Sequence, residues 1–260
     1  MPPSHTKSPL KDRPLRVPGQ SLDEEIDELL NSKMLIYFLA ILTFGIVTLF
    51  GWMEHFGLLN TNPWVLTGWF IVITAYSIYK MRKIRATAKR LALARDGERE
   101  VGQFLDTLQR DGARVLHDIR EKAFNVDHVV ISPHGVFVIE TKTYSKPAQG
   151  KPLIRVTKGQ IFINGYRPDH DPLEQAQALG RWIHDLLYET TGKHYPIQPV
   201  VLFPGWYIEN STADPRAWVL NPKALPSFIQ HSPKRLPESD IRLAFYHLAR
   251  YVRSTNTRRS

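Results

Sequence analysis

Three charged residues stand at unusual places in two apolar segments of the chain. Asp127 lies near the start of the segment 126–132. Glu140 and Lys142 lie near the end of the segment 136–143. Side chains alternate along a β-strand, so Glu140 and Lys142 are expected to project to the same face. If the two segments pair as a hairpin, Asp127 approaches that face as well.

Two carboxylates held this close repel each other, and one takes a raised pKa unless a cation joins them. Mg²⁺ suits such a site, with Mn²⁺ as the alternative, because hard divalent ions prefer carboxylate oxygens and water. The ion would lower the pKa of a bound water and hold a phosphodiester. Lys142 would then orient the attacking water or stabilise charge on phosphorus. A charged pair at a strand end is also typical of a solvated edge or a local ion pair.

Hydrophobic periodicity predicts an α/β domain around these residues. A turn at 133–135 joins the two apolar strands, and a second hairpin follows them. The predicted elements are, in order, a helix over 98–109, strands over 114–119, 126–132, 136–143, 153–157 and 160–163, a helix over 172–190, a strand over 198–203 and a helix over 236–253.

Two uncharged apolar runs precede this domain, at 34–53 and 63–79. Roughly 20 helical residues cross a bilayer core of about 30 Å, so each run approaches the required length. The connection at 54–62 is too short to be a domain. These features predict a transmembrane helical hairpin over 34–79. The alternative is a hairpin buried inside a soluble domain.

Lys and Arg residues lie on both flanks of the hairpin and are absent from its connection. The positive-inside rule therefore places both termini and the soluble domain in the cytoplasm, with two helices in the inner or cytoplasmic membrane. The remaining segments are predicted to be a disordered basic tail (1–20), an amphipathic lead-in helix (21–33) and a basic juxtamembrane linker (80–95). The soluble domain is predicted over 96–253.

The composition favours anionic partners, because 34 Lys and Arg face 25 Asp and Glu, a net charge of +9. Nucleic acid and anionic lipid headgroups both fit this balance. The chain has no cysteine, which excludes disulfide bonds and thiolate metal sites.

Five blocks of the soluble part resemble the nuclease-related domain family, called NERD, a branch of the PD-(D/E)xK nuclease superfamily. They are GE at 97–98, NVDHVV at 125–130, GVFVIETK at 135–142 and DPLEQ at 171–175, and a fifth block, VLHD at 115–118, follows the first. The resemblance implies a four-stranded mixed sheet flanked by helices. It also implies that Asp127 and Glu140 bind the metal and that Lys142 is the catalytic lysine.

The resemblance adds two residues to the expected site. Glu98 matches an acidic residue on the first helix that helps to bind the metal, with Glu100 as the alternative. Gln175 matches a helix glutamine close to the site. Asp171 replaces an Asn that is frequent in the family, at a position expected to cap the helix.

The sequence therefore predicts a membrane-anchored, Mg²⁺-dependent nuclease that acts on DNA, or less readily on RNA, at the cytoplasmic face. The alternative is a non-catalytic module, tethered to the membrane, that binds nucleic acid or a protein. A third hypothesis, that the hairpin itself assembles or senses something, ranks last because no ionisable residue lies at mid-membrane.

Overall fold

A computed structural model describes residues 14–57, 63–147, 149–157, 159–210 and 216–255. Part of the predicted basic tail, part of the 54–62 connection and the turn residue Lys158 lie outside the described residues. The chain divides into two compact units. One comprises Ser21–Leu93, and the other comprises Met1–Gln20 together with Ala94–Ser260.

The Ser21–Leu93 unit is helical. Helix α1 (Gln20–Asp27) passes through a π-helical turn (Glu28–Lys33) into helix α2 (Met34–Gly57), and helix α3 starts at Pro63 and ends at Asp106. Side chains of α2 contact the first turns of α3. The Trp52 indole donates a hydrogen bond of 3.0 Å to the Thr67 hydroxyl, and the rings of Tyr37 and Tyr76 meet edge to face at 6.3 Å. These contacts make the two helices antiparallel neighbours.

One described helix, Gln20–His55, is long and apolar enough to cross a membrane by length and composition. Its large apolar side chains face outward; Ile36 is 64% and Leu49 61% exposed. The second apolar run is helical too and exposes Trp64 and Trp69. Its role as a second span stays a prediction.

Helix α3 is longer than the sequence pattern suggested. It continues without a break through the predicted linker 80–95 and the predicted helix start at 98. The reason is local, since 80–95 consists largely of Lys, Arg, Ala and Leu, all good helix formers. The predicted start of a helix at 98 is therefore wrong. The hydrophobic pattern changes near this residue, but the helix is continuous.

The second unit adds the remaining elements. They are, in chain order, β1 (Arg114–Arg120), β2 (Asn125–Ser132), β3 (Gly135–Thr141), β4 (Leu153–Thr157), β5 (Gln160–Ile163), α4 (Pro172–Thr191), β6 (Ile197–Leu202), β7 (Tyr207–Asn210), β8 (Trp218–Leu220), α5 (Leu225–His231) and α6 (Glu238–Thr255).

Five of these strands form a mixed sheet in the order β1-β2-β3-β6-β8. The first three are antiparallel, and β3, β6 and β8 are parallel. The mixed sheet and the β2–β3 hairpin agree with the expectation, but the sheet has a fifth strand, because the short β8 pairs with β6. A smaller sheet, β5-β4-β7, contains the second predicted hairpin.

Helices cover both faces of the five-stranded sheet. Val101 and Leu105 of α3 pack with α5 against one face, at Val130 and Ile139. The opposite face packs against α4 and α6. Strands β2 and β3 are therefore buried on both sides, so a charged side chain on either one must find a partner.

The part of the N-terminal tail that the structure describes packs against this domain. Arg16 is only 7% exposed, and Gly19 is buried beside Arg95. This differs from the disorder expected for residues 1–20, which followed from their Pro, Lys and Arg content. A long-range contact fixes residues that have little structural preference of their own.

Gly97 lets α3 approach the end of β3, since a Cβ atom built there would lie 1.8 Å from Thr143 Oγ1. We expect Gly97→Ala to lower the free energy of unfolding by about 1–3 kcal/mol through overpacking. Thr143→Ala in the same chain should recover part of this loss. Gly68→Ala is the control, because a Cβ there meets nothing within 4 Å. Denaturant unfolding of the three variants measures the effect, and equal stability of Gly97→Ala and Gly68→Ala would contradict it.

Candidate active site

Asp127 and Glu140 lie where the β2–β3 pairing ends. The last paired residues are His128 and Ile139, so Asp127 and Glu140 occupy the next opposed positions. The Asp127 side chain replaces the missing backbone contact, because its Oδ2 accepts a hydrogen bond of 2.7 Å from the Thr141 amide. Both carboxylates are 4% exposed. The hairpin thus brings two buried acidic side chains to one edge of the sheet, as the sequence predicted.

Lys142, Glu140 and Gln175 form a closed set of contacts at this edge. The Lys142 ammonium donates to Glu140 Oε1 at 2.7 Å and to Gln175 Oε1 at 2.8 Å. The Gln175 amide nitrogen donates to the same Glu140 oxygen at 2.7 Å. Asp171 caps α4 as expected, accepting 2.9 Å from the Leu173 amide, and so fixes the turn that carries Gln175.

Glu98 comes to the site from α3. It is 6% exposed, and its carboxylate accepts a hydrogen bond from the Gly19 backbone amide. Glu100 on the same helix is exposed. Of the two candidates for the helix acidic residue, Glu98 is the buried one, and its carboxylate interacts electrostatically with Glu140.

Burial raises the pKa of all three carboxyl groups, and repulsion by other carboxylates adds to the shift for Asp127 and Glu98. For Asp127 burial is the main cause, followed by the charges of Glu140 and Glu98. Burial raises the pKa of Glu140 too, although Lys142 and Gln175 offset part of the effect. Burial, then the charges of Asp118 and Glu140, raise the pKa of Glu98 to about 8.

The Lys142 ammonium is held in its charged form. Burial lowers its pKa, but the charge and hydrogen bond of Glu140 and the charge of Asp127 outweigh this, so the net shift is upward. A lysine whose pKa is raised carries its proton at neutral pH. Lys142 is therefore a cation and a hydrogen-bond donor, and not a general base.

The donor set suits a hard divalent cation. Among the described residues, Oε2 of Glu98 and Oε2 of Glu140 are buried and have no hydrogen-bond partner. A cation would satisfy these oxygens and remove the repulsion that raises the carboxyl pKa values. In the described part of the chain, however, no group of three or more His, Asp or Glu side chains is already placed to hold a metal ion. The residues fit a metal by chemistry, and metal binding by them stays a prediction.

Two residues near the site were not expected from the sequence to take part in it. Asp118 on β1 is fully buried, has a backbone φ of +50° and pairs with Arg16 at 2.6 Å. Hydrophobic periodicity and short motifs do not predict a contact between residues this far apart in the chain. His128, next to Asp127 on β2, lies against His117, with their Nδ1 atoms 2.9 Å apart.

The fold and site together define a mixed α/β domain with buried carboxylates and a lysine at one sheet edge. Residues 93–204 match the family model described as Nuclease-related domain, NERD. The match supports the resemblance of this part of the chain to the NERD family, which the sequence motifs indicated. The comparison with curated proteins found no match, and neither did the comparison with solved structures.

The raised pKa of Glu98 predicts a pH-dependent loss of stability in the metal-free chain. The pKa of Glu98 rises from 4.5 to about 8 on folding, so the folded chain binds this proton more tightly than the unfolded chain does. The resulting stabilisation is complete below pH 4.5 and is lost as the pH rises through about 8. Glu98→Gln should therefore match the parent chain in acid and exceed its melting temperature at the alkaline end of this range.

Thermal unfolding in the presence of a chelator, across that pH range, measures the difference. Glu100→Gln is the matched control on the same helix and should run parallel to the parent chain throughout. If Glu98→Gln gains nothing over the parent chain above pH 8, burial of an ionised Glu98 carries no cost and the electrostatic description of the site fails.

Proposed function

We propose that the chain is a membrane-anchored, Mg²⁺-dependent nuclease-type phosphodiesterase that acts on DNA, and less readily on RNA, at the cytoplasmic face. One observation carries the proposal: Asp127, Glu140 and Lys142 meet in a buried cluster inside a nuclease-related domain. The net charge of +9 favours an anionic polymer as substrate.

The cluster assigns a task to each side chain. Lys142, held charged by Glu140 and oriented by Gln175, stabilises negative charge that develops on the phosphoryl oxygens. Asp127 is fixed by the Thr141 amide, so its free oxygen keeps one orientation. Because Lys142 retains its proton, a carboxylate takes the proton of the attacking water.

Asp127 and Glu140 would hold the metal, with Glu98 as the third carboxylate. Bound there, Mg²⁺ or Mn²⁺ supplies Lewis-acid chemistry: it acidifies a coordinated water and neutralises phosphate charge. The buried Oε2 atoms of Glu98 and Glu140, which have no hydrogen-bond partner, support this role.

The anchoring part of the proposal draws support from the N-terminal segment. Residues 14–20 and the domain from Ala94 onward belong to one compact unit, joined by the buried Arg16–Asp118 pair. If the intervening segment enters the membrane, it should also leave it on the same side. An odd number of spans would separate the two parts, so we propose that the runs at 34–53 and 63–79 both cross.

A non-catalytic module that binds nucleic acid or protein at the membrane is the second candidate. One observation favours it, because no set of three acidic or histidine side chains among the described residues is already arranged around a metal position. Such a module would bind its partner equally well with and without the carboxylates.

A cleavage assay distinguishes the two functions. We expect the full chain, purified in detergent, to cut single-stranded, double-stranded or branched DNA with Mg²⁺ or Mn²⁺ and to be inactive with a chelator. Lys142→Met and Asp127→Asn should each lower the cleavage rate by about 10²–10³ or more, the usual effect of removing a transition-state contact.

Lys223→Met, which changes an exposed lysine, is the matched control and should cut normally. Cleavage that survives in both site variants would eliminate this site as the catalytic centre. Binding without cleavage in the parent chain, unchanged in Asp127→Asn, would establish the binding module.

The absence of cysteine makes the topology directly testable. We expect Val17→Cys and Tyr207→Cys, both at exposed positions (55% and 66%), to react with an impermeant thiol reagent from the cytoplasmic side of membrane vesicles. Glu54→Cys, in the connection between the two runs, should react only from the other side. Labelling of Val17→Cys and Tyr207→Cys from opposite sides would rule out the hairpin.

A further inference from the structure

The N-terminal segment 14–19 is attached to the candidate site by a buried ion pair. Arg16 Nε donates to Asp118 Oδ2 at 2.6 Å, and the two side chains are 5% and 0% exposed. Removing two charges from water is expensive, and a buried pair contributes little net stability compared with apolar packing. A pair buried this completely therefore suggests a role in fixing one arrangement of the groups around it.

Asp118 lies in the row of acidic residues that crosses the site. Register places it on β1 opposite Asp127, between the paired residues His117 and Ile119, and Asp127 in turn lies opposite Glu140. Its backbone φ of +50° is a left-handed conformation that few residues other than glycine adopt, and Asp and Asn are among those few. Such strain within a strand persists only where the surrounding contacts enforce it.

The same segment also contacts Glu98 directly. The Gly19 amide donates a hydrogen bond to its carboxylate, and the Asp118 charge acts on the same carboxylate. Two glycines allow the close approach. A Cβ at Gly19 would lie 3.0 Å from Arg95 Cγ, and a Cβ at Gly102 would lie 2.3 Å from Pro18 Cγ. The surface of α3 is thus shaped to receive residues 14–19.

We infer that residues 14–19 help to position the Glu98 carboxylate in the site and that Arg16 is a positioning residue for Glu98. Arg16 pairs with Asp118 and offsets part of the repulsion between this carboxylate and Glu98, while the Gly19 amide donates a hydrogen bond to the Glu98 carboxylate. The functional consequence rests on the proposed metal site. The segment that matches the family model, 93–204, does not include residues 14–19. A protein made of that segment alone would therefore lack part of the proposed site.

The test compares Mn²⁺ binding, by electron paramagnetic resonance, and DNA cleavage in full chains that differ at the pair. Arg16→Met should weaken Mn²⁺ binding by about tenfold or more, the usual effect of losing a group that orients a ligand. Arg16→Lys should recover part of the affinity, because it keeps the charge. Arg16→Met combined with Asp118→Asn should recover most of it, because the neutral pair leaves no buried charge and Asn accepts the same backbone conformation.

Arg250→Met changes an exposed arginine on α6 and is the matched control, with unchanged binding expected. If Arg16→Met alone fails to fold, the neutral double variant carries the comparison. The inference is overturned if a folded Arg16→Met chain binds Mn²⁺ as the parent does, or if the double variant shows no recovery over Arg16→Met.

A metal-independent measurement separates this inference from the proposed function. Hydrogen exchange of the peptide covering 14–20 should accelerate in Glu98→Ala and in Arg16→Met, and stay unchanged in Arg250→Met. If the parent chain binds no Mn²⁺ but this acceleration is seen, the metal site fails and the structural coupling stands. If exchange is the same in all variants, the coupling itself is wrong.

Discussion

Repulsion among buried carboxylates is the constraint on which the rest of this domain depends. Asp127, Glu140 and Glu98 are each at most 6% exposed, and burial raises the pKa of each. The charge of Glu140 raises the pKa of the other two further. One ammonium group, Lys142, offsets part of this charge. A fold gains nothing in stability from such a cluster, and we propose for this reason that the cluster binds a ligand.

The surrounding elements hold the cluster in place despite its cost. The β2–β3 hairpin is buried on both faces, so neither strand can rotate its acidic residue into water. The Thr141 amide fixes Asp127, and α4, capped by Asp171, presents Gln175 to Lys142 and Glu140. The close contact of Gly97 with Thr143 brings α3, and with it Glu98, to the same edge. Each of these contacts limits how far the carboxylates can move apart.

Local sequence pattern predicted the parts of the site that depend on local geometry. Alternation along β3 placed Glu140 and Lys142 on one face, and their 2.7 Å contact confirms it. The cap at Asp171 followed from residue type and position. Arg16 and Asp118, by contrast, are 102 residues apart, and a pairing of that range leaves no trace in periodicity. The positive φ of Asp118 is equally invisible, since it is imposed by the contacts around it.

The predicted boundary was wrong where one helix passes through two different environments. Helix α3 runs from an apolar surface into the domain core, so its hydrophobic pattern changes at 80–97 while its backbone does not. The strand β8 was missed because three residues are too few to show alternation. Neither error changed which residues were expected at the site, although the wrong boundary falls at Glu98 itself.

Anomalous diffraction from crystals of the full chain soaked in Mn²⁺ tests the central claim most directly. If these carboxylates bind a metal, we expect one strong Mn²⁺ peak in contact with oxygens of Asp127 and Glu140, close to Glu98. The peak should disappear in Asp127→Asn. Carboxylates that keep their present hydrogen bonds at saturating Mn²⁺, with no peak among them, would contradict it.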